Sequence, residues 1–167
     1  MMHRIRLGTT TIGLALGAIA PLSANADGDV ANQHACSART RGPYGFQCQG
    51  SADLGGGLGL ATLVGTVAGS DTGLFDGGGV FTTPAGSLRI HAKGQAHFQD
   101  STCFGHIRYE QFIVLPDGSD GPQLPPLDID FATVEGGLEI LGTPNSIGGV
   151  PGNVFMSCRL VKVQGRK

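Results

Sequence analysis

The chain has 167 residues, a net charge of −2, 29 glycines, four cysteines and no tryptophan. Its lysines and arginines do not cluster, and this excludes the basic footprint typical of nucleic-acid-binding proteins and of proteins that bind anionic membranes. No segment has the roughly 20 consecutive apolar residues that a transmembrane helix needs, so the sequence predicts no membrane span.

Residues 1–26 have the pattern of a cleavable secretory signal peptide. Arg4 and Arg6 precede an apolar stretch at 12–22, and Ala24-Asn25-Ala26 forms a small-x-small cleavage site. A core helix is the alternative, but it does not account for the basic flank and the cleavage site together. We therefore predict export to the periplasm or the extracellular space.

The four cysteines, Cys36, Cys48, Cys103 and Cys158, all follow the predicted cleavage site. An even number of cysteines in an exported chain favours disulfides. No CxxC pair is present, which argues against zinc, and no other cofactor motif is found. The sequence predicts two disulfides, no metal site and no cofactor.

The first predicted segments are an irregular N-terminal arm, 27–43, and a barrel domain, 44–167, that opens with a strand at 44–49. This strand places Tyr44, Phe46 and Cys48 on one face. A second strand, apolar on both faces, follows at 58–67. A third is expected at 79–83, behind a turn at Asp76-Gly77-Gly78.

The fourth and fifth predicted strands, 87–98 and 103–114, have the clearest alternation. One face of the pair is charged and faces solvent, and the other is apolar and buried. The outward residues are Arg89, His91, Lys93, His97, His106, Arg108 and Glu110. We expect Glu110 to lie opposite Arg89 or His91.

The rest of the chain is predicted as three more strands separated by turns. A loop at 116–126 precedes a strand at 127–131, and Glu135-Gly136-Gly137 turns the chain into a strand that begins at 138–140. A loop at 143–152 then leads into the last strand, 153–163. No helical period follows residue 26, so we predict an all-β domain: a single eight-stranded antiparallel barrel, with a β-sandwich as the alternative.

Barrel closure makes a prediction about the cysteines. If the first strand pairs with the last, Cys48 and Cys158 meet at the seam on the inner face, and Cys36 and Cys103 lie at the same end of the barrel. Of three possible connectivities, closure therefore favours Cys36–Cys103 and Cys48–Cys158.

The inner face contains the candidate ligand-binding residues. An eight-stranded barrel either fills with its own side chains or holds one small ligand, and the small residues Ala92, Ala96, Gly94 and Gly105 favour free space. We predict a small hydrophobic molecule as the partner. Its candidate contacts are Tyr44, Phe46, Phe98, Tyr109, Gln111, Phe131 and Met156.

The outer face contains no predicted catalytic or metal site. His91, His97 and His106 are interpreted as solvated histidines because no set of acidic residues converges with them. Asp128 and Asp130 are assigned to the solvent-facing side of their strand. No catalytic motif is present, so no catalytic residue is predicted.

Several short blocks resemble a group of small exported bacterial and fungal proteins. Residues 40–46 (TRGPYGF) resemble its opening GxYGF motif, and 64–67, 76–79, 100–105 and 134–140 resemble later strand and turn blocks. The barrel of this group is similar to the allene oxide cyclase and dirigent type, an eight-stranded calycin-like barrel. Ser101 and Thr102 separate Asp100 from Cys103 where the group has an acidic-Cys pair, and the resemblance implies no catalytic residue.

Three functions are consistent with these features. The first is an exported, disulfide-stabilised barrel that binds a small apolar molecule or a surface partner. The second is a barrel cyclase acting on a hydrophobic intermediate, although export argues against it. The third is a non-catalytic role in the cell envelope.

Overall fold

The computed structural model describes residues 26–53, 57–99 and 101–164, and the predicted signal peptide apart from Ala26 lies outside them. These residues form a helix, α1 (Ala26–Thr40), and a short 3₁₀ helix, Glu135–Gly137. The strands are β1 (Gly42–Asp53), β2 (Leu58–Gly69), β3 (Leu74–Thr83), β4 (Gly86–Phe98), β5 (Phe104–Val114), β6 (Asp120–Val134), β7 (Glu139–Ile147), β8 (Val150–Pro151) and β9 (Val154–Lys162).

Eight of these strands close into an antiparallel barrel. Strands β1 to β6 pair in sequence order, β6 pairs with β7, β7 with β9, and β9 with β1. The short β8 forms a hairpin with β7 and stands outside the ring. The predicted eight-stranded barrel is therefore confirmed, and the sandwich alternative is wrong. No helix in the described ranges is long and apolar enough to cross a membrane.

Side chains alternate between the two faces of the wall as the sequence predicts. In β4, Ile90, Ala96 and Phe98 are buried, whereas Arg89 and Lys93 are exposed. The buried residues form two clusters, one at each end of the barrel. The end at which β1 starts is packed with aromatic residues, and we call it the closed end.

Helix α1 covers the closed end, so the predicted irregular arm is wrong. Gln33, Cys36, Ser37 and Thr40 recur at helical spacing and face the barrel, and the last three are buried. They are small or polar rather than apolar, which is why the sequence pattern did not reveal a helix. Lys162 Nζ donates to the Arg39 carbonyl at 3.1 Å and holds the end of α1 against β9.

Gln33 joins α1 to β4 through both ends of its amide. Its Nε2 donates to the Ala96 carbonyl at 2.7 Å, and its Oε1 accepts from the Phe98 N–H at 3.0 Å. These groups belong to the end of β4 that extends beyond the start of β3. The side chain therefore bonds to these backbone groups in the place of a strand partner, and the Ala96 carbonyl also accepts a longer bond from Gln95 Nε2 at 3.3 Å.

The register of β4 against β5 differs from the expected one. Glu110 lies opposite Lys93, whereas His91 lies opposite Phe112. The connection between β4 and β5 is longer than predicted, because β5 begins at Phe104 rather than at Cys103. Cys103 takes a positive φ of 62°, and the Gln99 N–H donates to the Phe104 carbonyl to close the turn. The predicted pairing of Glu110 with Arg89 or His91 is therefore wrong.

Two segments predicted as loops are largely strand. Most of 116–126 belongs to β6, which tolerates its prolines because its pairing with β5 is interrupted by register shifts. Most of 143–152 belongs to β7 and β8, where the Asn153 side chain bonds both backbone groups of Ile147. In both places, bulges and a side-chain amide replace the regular ladder that a sequence pattern reveals.

Candidate functional site

Two adjoining cavities occupy the barrel interior. The inner cavity, of about 70 Å³, lies in the middle of the barrel, and the outer cavity, of about 440 Å³, lies towards the end opposite α1. Both are lined by Cys48, Leu63, Ile90, Gln111 and Leu127. The outer volume is within the range of cavities that hold small molecules.

The predicted contact residues divide between these cavities and the closed end. Phe46, Tyr109, Gln111 and Phe131 line the inner cavity, and Met156 lines the outer one. Tyr44 and Phe98 instead belong to the cluster packed beneath α1. Tyr44 is fully buried there, and its hydroxyl donates to the Gly137 carbonyl at 2.7 Å.

The inner cavity exists because two neighbouring strands lack large side chains at its wall. Gly77 and Gly79 of β3 line it, and Ala92 lies opposite Gly77 on β4. A Cβ at Gly77 would lie 2.2 Å from the Thr66 carbonyl oxygen, so β2 approaches too closely for any side chain. The glycine run interpreted from sequence as a turn is therefore part of the strand, and β3 begins five residues earlier than predicted.

Two polar side chains, Tyr109 and Gln111, line the mostly apolar inner cavity. Gln111 Nε2 donates to the Pro125 carbonyl at 2.8 Å, which fixes its amide where the two cavities meet. Tyr109 lines the inner cavity, and no described residue forms a hydrogen bond with its hydroxyl. Burial raises the pKa of Tyr109, so its hydroxyl stays protonated and neutral.

Both predicted disulfides are present. Cys36–Cys103 joins α1 to the start of β5, with Cα atoms 5.3 Å apart. Cys48–Cys158 joins directly paired residues of β1 and β9, and both cysteines line the inner cavity. Paired disulfides are typical of exported proteins.

A histidine on the outer wall binds two carboxylates, contrary to its interpretation as a solvated histidine. His91 Nε2 lies 2.8 Å from Asp76 of β3, and its Nδ1 lies 2.8 Å from Asp120 of β6. The bond to Asp76 raises the pKa of His91 most, and Asp120 raises it further. The two ring nitrogens point in opposite directions, so these three side chains do not converge on one metal ion.

A second polar network joins β5, β6 and β7. His106 Nδ1 lies 2.9 Å from Asp130, and Ser146 Oγ donates to Asp128 at 2.6 Å. Asp128 faces outward as predicted but is only 7 % exposed, because His106, Arg108 and Ser146 cover it. Ser146 donates to the carboxylate rather than to the histidine, so this arrangement does not activate it as a nucleophile.

The outer wall of β2, β3 and β9 exposes apolar side chains. Leu60 is 74 % exposed and Phe155 59 %, and both flank Ser51 of β1. Val64 and Val80 lie opposite each other on β2 and β3, and both are exposed. This surface is the alternative to the interior as a place for a partner.

Among residues 26–53, 57–99 and 101–164, no group of three or more histidine, cysteine or acidic side chains is placed to hold a metal ion. The inner cavity offers shape, an apolar lining and the polar groups of Tyr109 and Gln111, and Asp53 and Asn153 add polar groups to the lining of the outer cavity. Comparison of the chain with protein-family models, curated proteins and solved structures found no match.

Proposed function

We propose that this protein binds a small, mostly apolar molecule inside its barrel and acts outside the cytosol as a binding protein rather than as an enzyme. The observation that carries the proposal is the outer cavity of about 440 Å³, whose lining is predominantly apolar. Burying the surface of an apolar ligand contributes roughly 25 cal/mol of favourable binding free energy for each Å² of apolar surface removed from water.

The architecture supports this role in two further ways. Helix α1 and the aromatic cluster cover one end, so we expect a ligand to enter at the other end, past Val150 and Asn153. Val150 is 58 % exposed, which places this lining next to solvent. The resemblance to allene oxide cyclase and dirigent barrels remains a prediction.

A fluorescence titration tests the proposal. N-phenyl-1-naphthylamine is neutral and becomes fluorescent in apolar surroundings, and we expect saturable, equimolar binding. Leu124→Trp, which fills the outer cavity, should weaken binding by about tenfold or more. Gln123→Trp places the same ring on the outer face of the same strand and should leave binding unchanged. Absence of saturable binding, or equal losses in both variants, would overturn the proposal.

A further inference from the structure

The Tyr109 side chain lines the apolar inner cavity, and its hydroxyl has no hydrogen-bond partner within residues 26–53, 57–99 and 101–164. Tyr44, the other tyrosine, is also inward-facing, and its hydroxyl is bonded to the Gly137 carbonyl. Tyr109 lies in the middle of β5, between Gly94 of β4 and Leu127 of β6, and no described residue bonds to its hydroxyl. The hydroxyl is therefore available to a molecule in the cavity, and a ligand atom that bonds to it gains the worth of one hydrogen bond, about threefold to tenfold in affinity.

The charges of the lining define which ligands the interior accepts. Neither cavity is lined by a lysine, arginine or histidine among the described residues, and Asp53 at the outer end is acidic. A carboxylate or phosphate inserted here would lose its hydration without gaining a cation. An ammonium group would likewise find no anion in the inner cavity. A neutral polar group, by contrast, matches the protonated Tyr109 hydroxyl, which both donates and accepts hydrogen bonds.

The two volumes define the orientation. The inner cavity of about 70 Å³ admits a few atoms, whereas the outer cavity of about 440 Å³ admits the body of a small molecule. Tyr109 lines the inner cavity, and Gln111 stands where the two meet. A polar end therefore reaches Tyr109 only if it enters first, with the apolar body behind it.

We propose that the ligand is a neutral amphiphile, an alcohol or a carbonyl compound, that enters polar end first and bonds to the Tyr109 hydroxyl. This inference rests on the proposed function and names its ligand class. It makes Tyr109 the residue that determines specificity, and it predicts that fatty acids and other anionic lipids bind poorly.

Displacement of N-phenyl-1-naphthylamine by three molecules of equal chain length tests the inference. The probes are 1-octanol, 1-chlorooctane and octanoate, the last at a pH well above its carboxyl pKa. Tyr109→Phe should weaken the binding of 1-octanol about threefold to tenfold, the worth of one hydrogen bond. It should change the affinity for 1-chlorooctane by less than about twofold. In the wild type, octanoate should bind on the order of 100-fold more weakly than 1-octanol. Tyr44→Phe is the matched control and should leave the relative affinities of the three probes unchanged.

The outcomes separate this inference from the proposed function. Two results would show that the ligand class is wrong while the cavity proposal stands, provided that the fluorescent probe binds. One is that octanoate binds as tightly as 1-octanol. The other is that Tyr109→Phe weakens the binding of 1-octanol and of 1-chlorooctane equally. If the fluorescent probe does not bind the wild type at all, both are overturned.

Discussion

Cys48 of β1 and Cys158 of β9 lie directly opposite each other, and their disulfide stands on the inner face at the seam where the barrel closes. The residues it joins are 110 positions apart in sequence. The bond therefore links the first strand to the last and reduces the conformational freedom of almost the whole unfolded domain. Because both cysteines line the inner cavity, the same bond is part of the cavity wall.

Removing the seam disulfide should reduce global stability. For a Cys48→Ala/Cys158→Ala double variant, we expect the free energy of unfolding to fall by about 2–5 kcal/mol, the usual loss for a native disulfide. Chemical denaturation of the two proteins measures this difference. A loss below about 1 kcal/mol would show that strand pairing alone closes the barrel.

Removing the other disulfide should act locally. In a Cys36→Ala/Cys103→Ala double variant, we expect amide hydrogen exchange across α1 to accelerate by about tenfold or more, because Gln33 and Lys162 become its principal remaining anchors. Exchange at the centre of β5 should change little. Equal acceleration in the helix and in β5 would contradict a separate closing role for α1.

The two tyrosines should respond differently to loss of their hydroxyl groups. Tyr44→Phe removes a buried hydrogen bond and leaves the Gly137 carbonyl unpaired, which should cost about 1–3 kcal/mol of unfolding free energy. Tyr109→Phe removes a hydroxyl without a described partner and should change the unfolding free energy by less than about 0.5 kcal/mol. A larger loss for Tyr109→Phe than for Tyr44→Phe would refute these assignments.

His91 should make stability depend on pH. Its pKa is raised in the folded protein by Asp76 and Asp120, so protonated His91 stabilises the fold below its ordinary pKa. That contribution, about 1 kcal/mol, disappears as pH rises through the raised pKa. His91→Gln should therefore be less stable than wild type in mild acid and should approach it in alkaline solution. Denaturation midpoints across this pH range measure the difference.

His97→Gln is the control for this pH dependence. His97 is exposed on the same face of β4, and no described carboxylate bonds to it. We expect the stability of the His97→Gln variant to depend on pH in the same way as that of the wild type. A His91→Gln variant that differs from wild type by the same amount at every pH would contradict the ionic role of His91.

The barrel and its closure follow from short-range patterns in the sequence. The alternation of polar and apolar residues in β4 and β5 predicts one solvent-facing and one buried face. The Cys48–Cys158 disulfide follows once the first strand is paired with the last. These features are predictable because the side-chain period of a strand depends on backbone geometry alone.

The features that sequence patterns miss depend on contacts between distant segments. Helix α1 is held by a disulfide and by Gln33 rather than by an apolar stripe, so its periodicity is weak. The glycines at 77–79 resemble a turn, but they lie in β3 because β2 approaches too closely for a side chain. The different surroundings of Tyr44 and Tyr109 likewise depend on which strands and turns meet around them.

The central claim is that the ligand binds inside the barrel and not on its apolar outer wall. Methyl-resolved NMR of the wild-type protein, titrated with N-phenyl-1-naphthylamine, tests it most directly. We predict chemical-shift changes at the inward methyl groups of Leu63, Ile90, Leu124 and Ile147, which line the outer cavity. The outward methyl groups of Leu60, Val64 and Val80 should not shift. Changes confined to the outward set would contradict the claim and place the binding surface on β2 and β3.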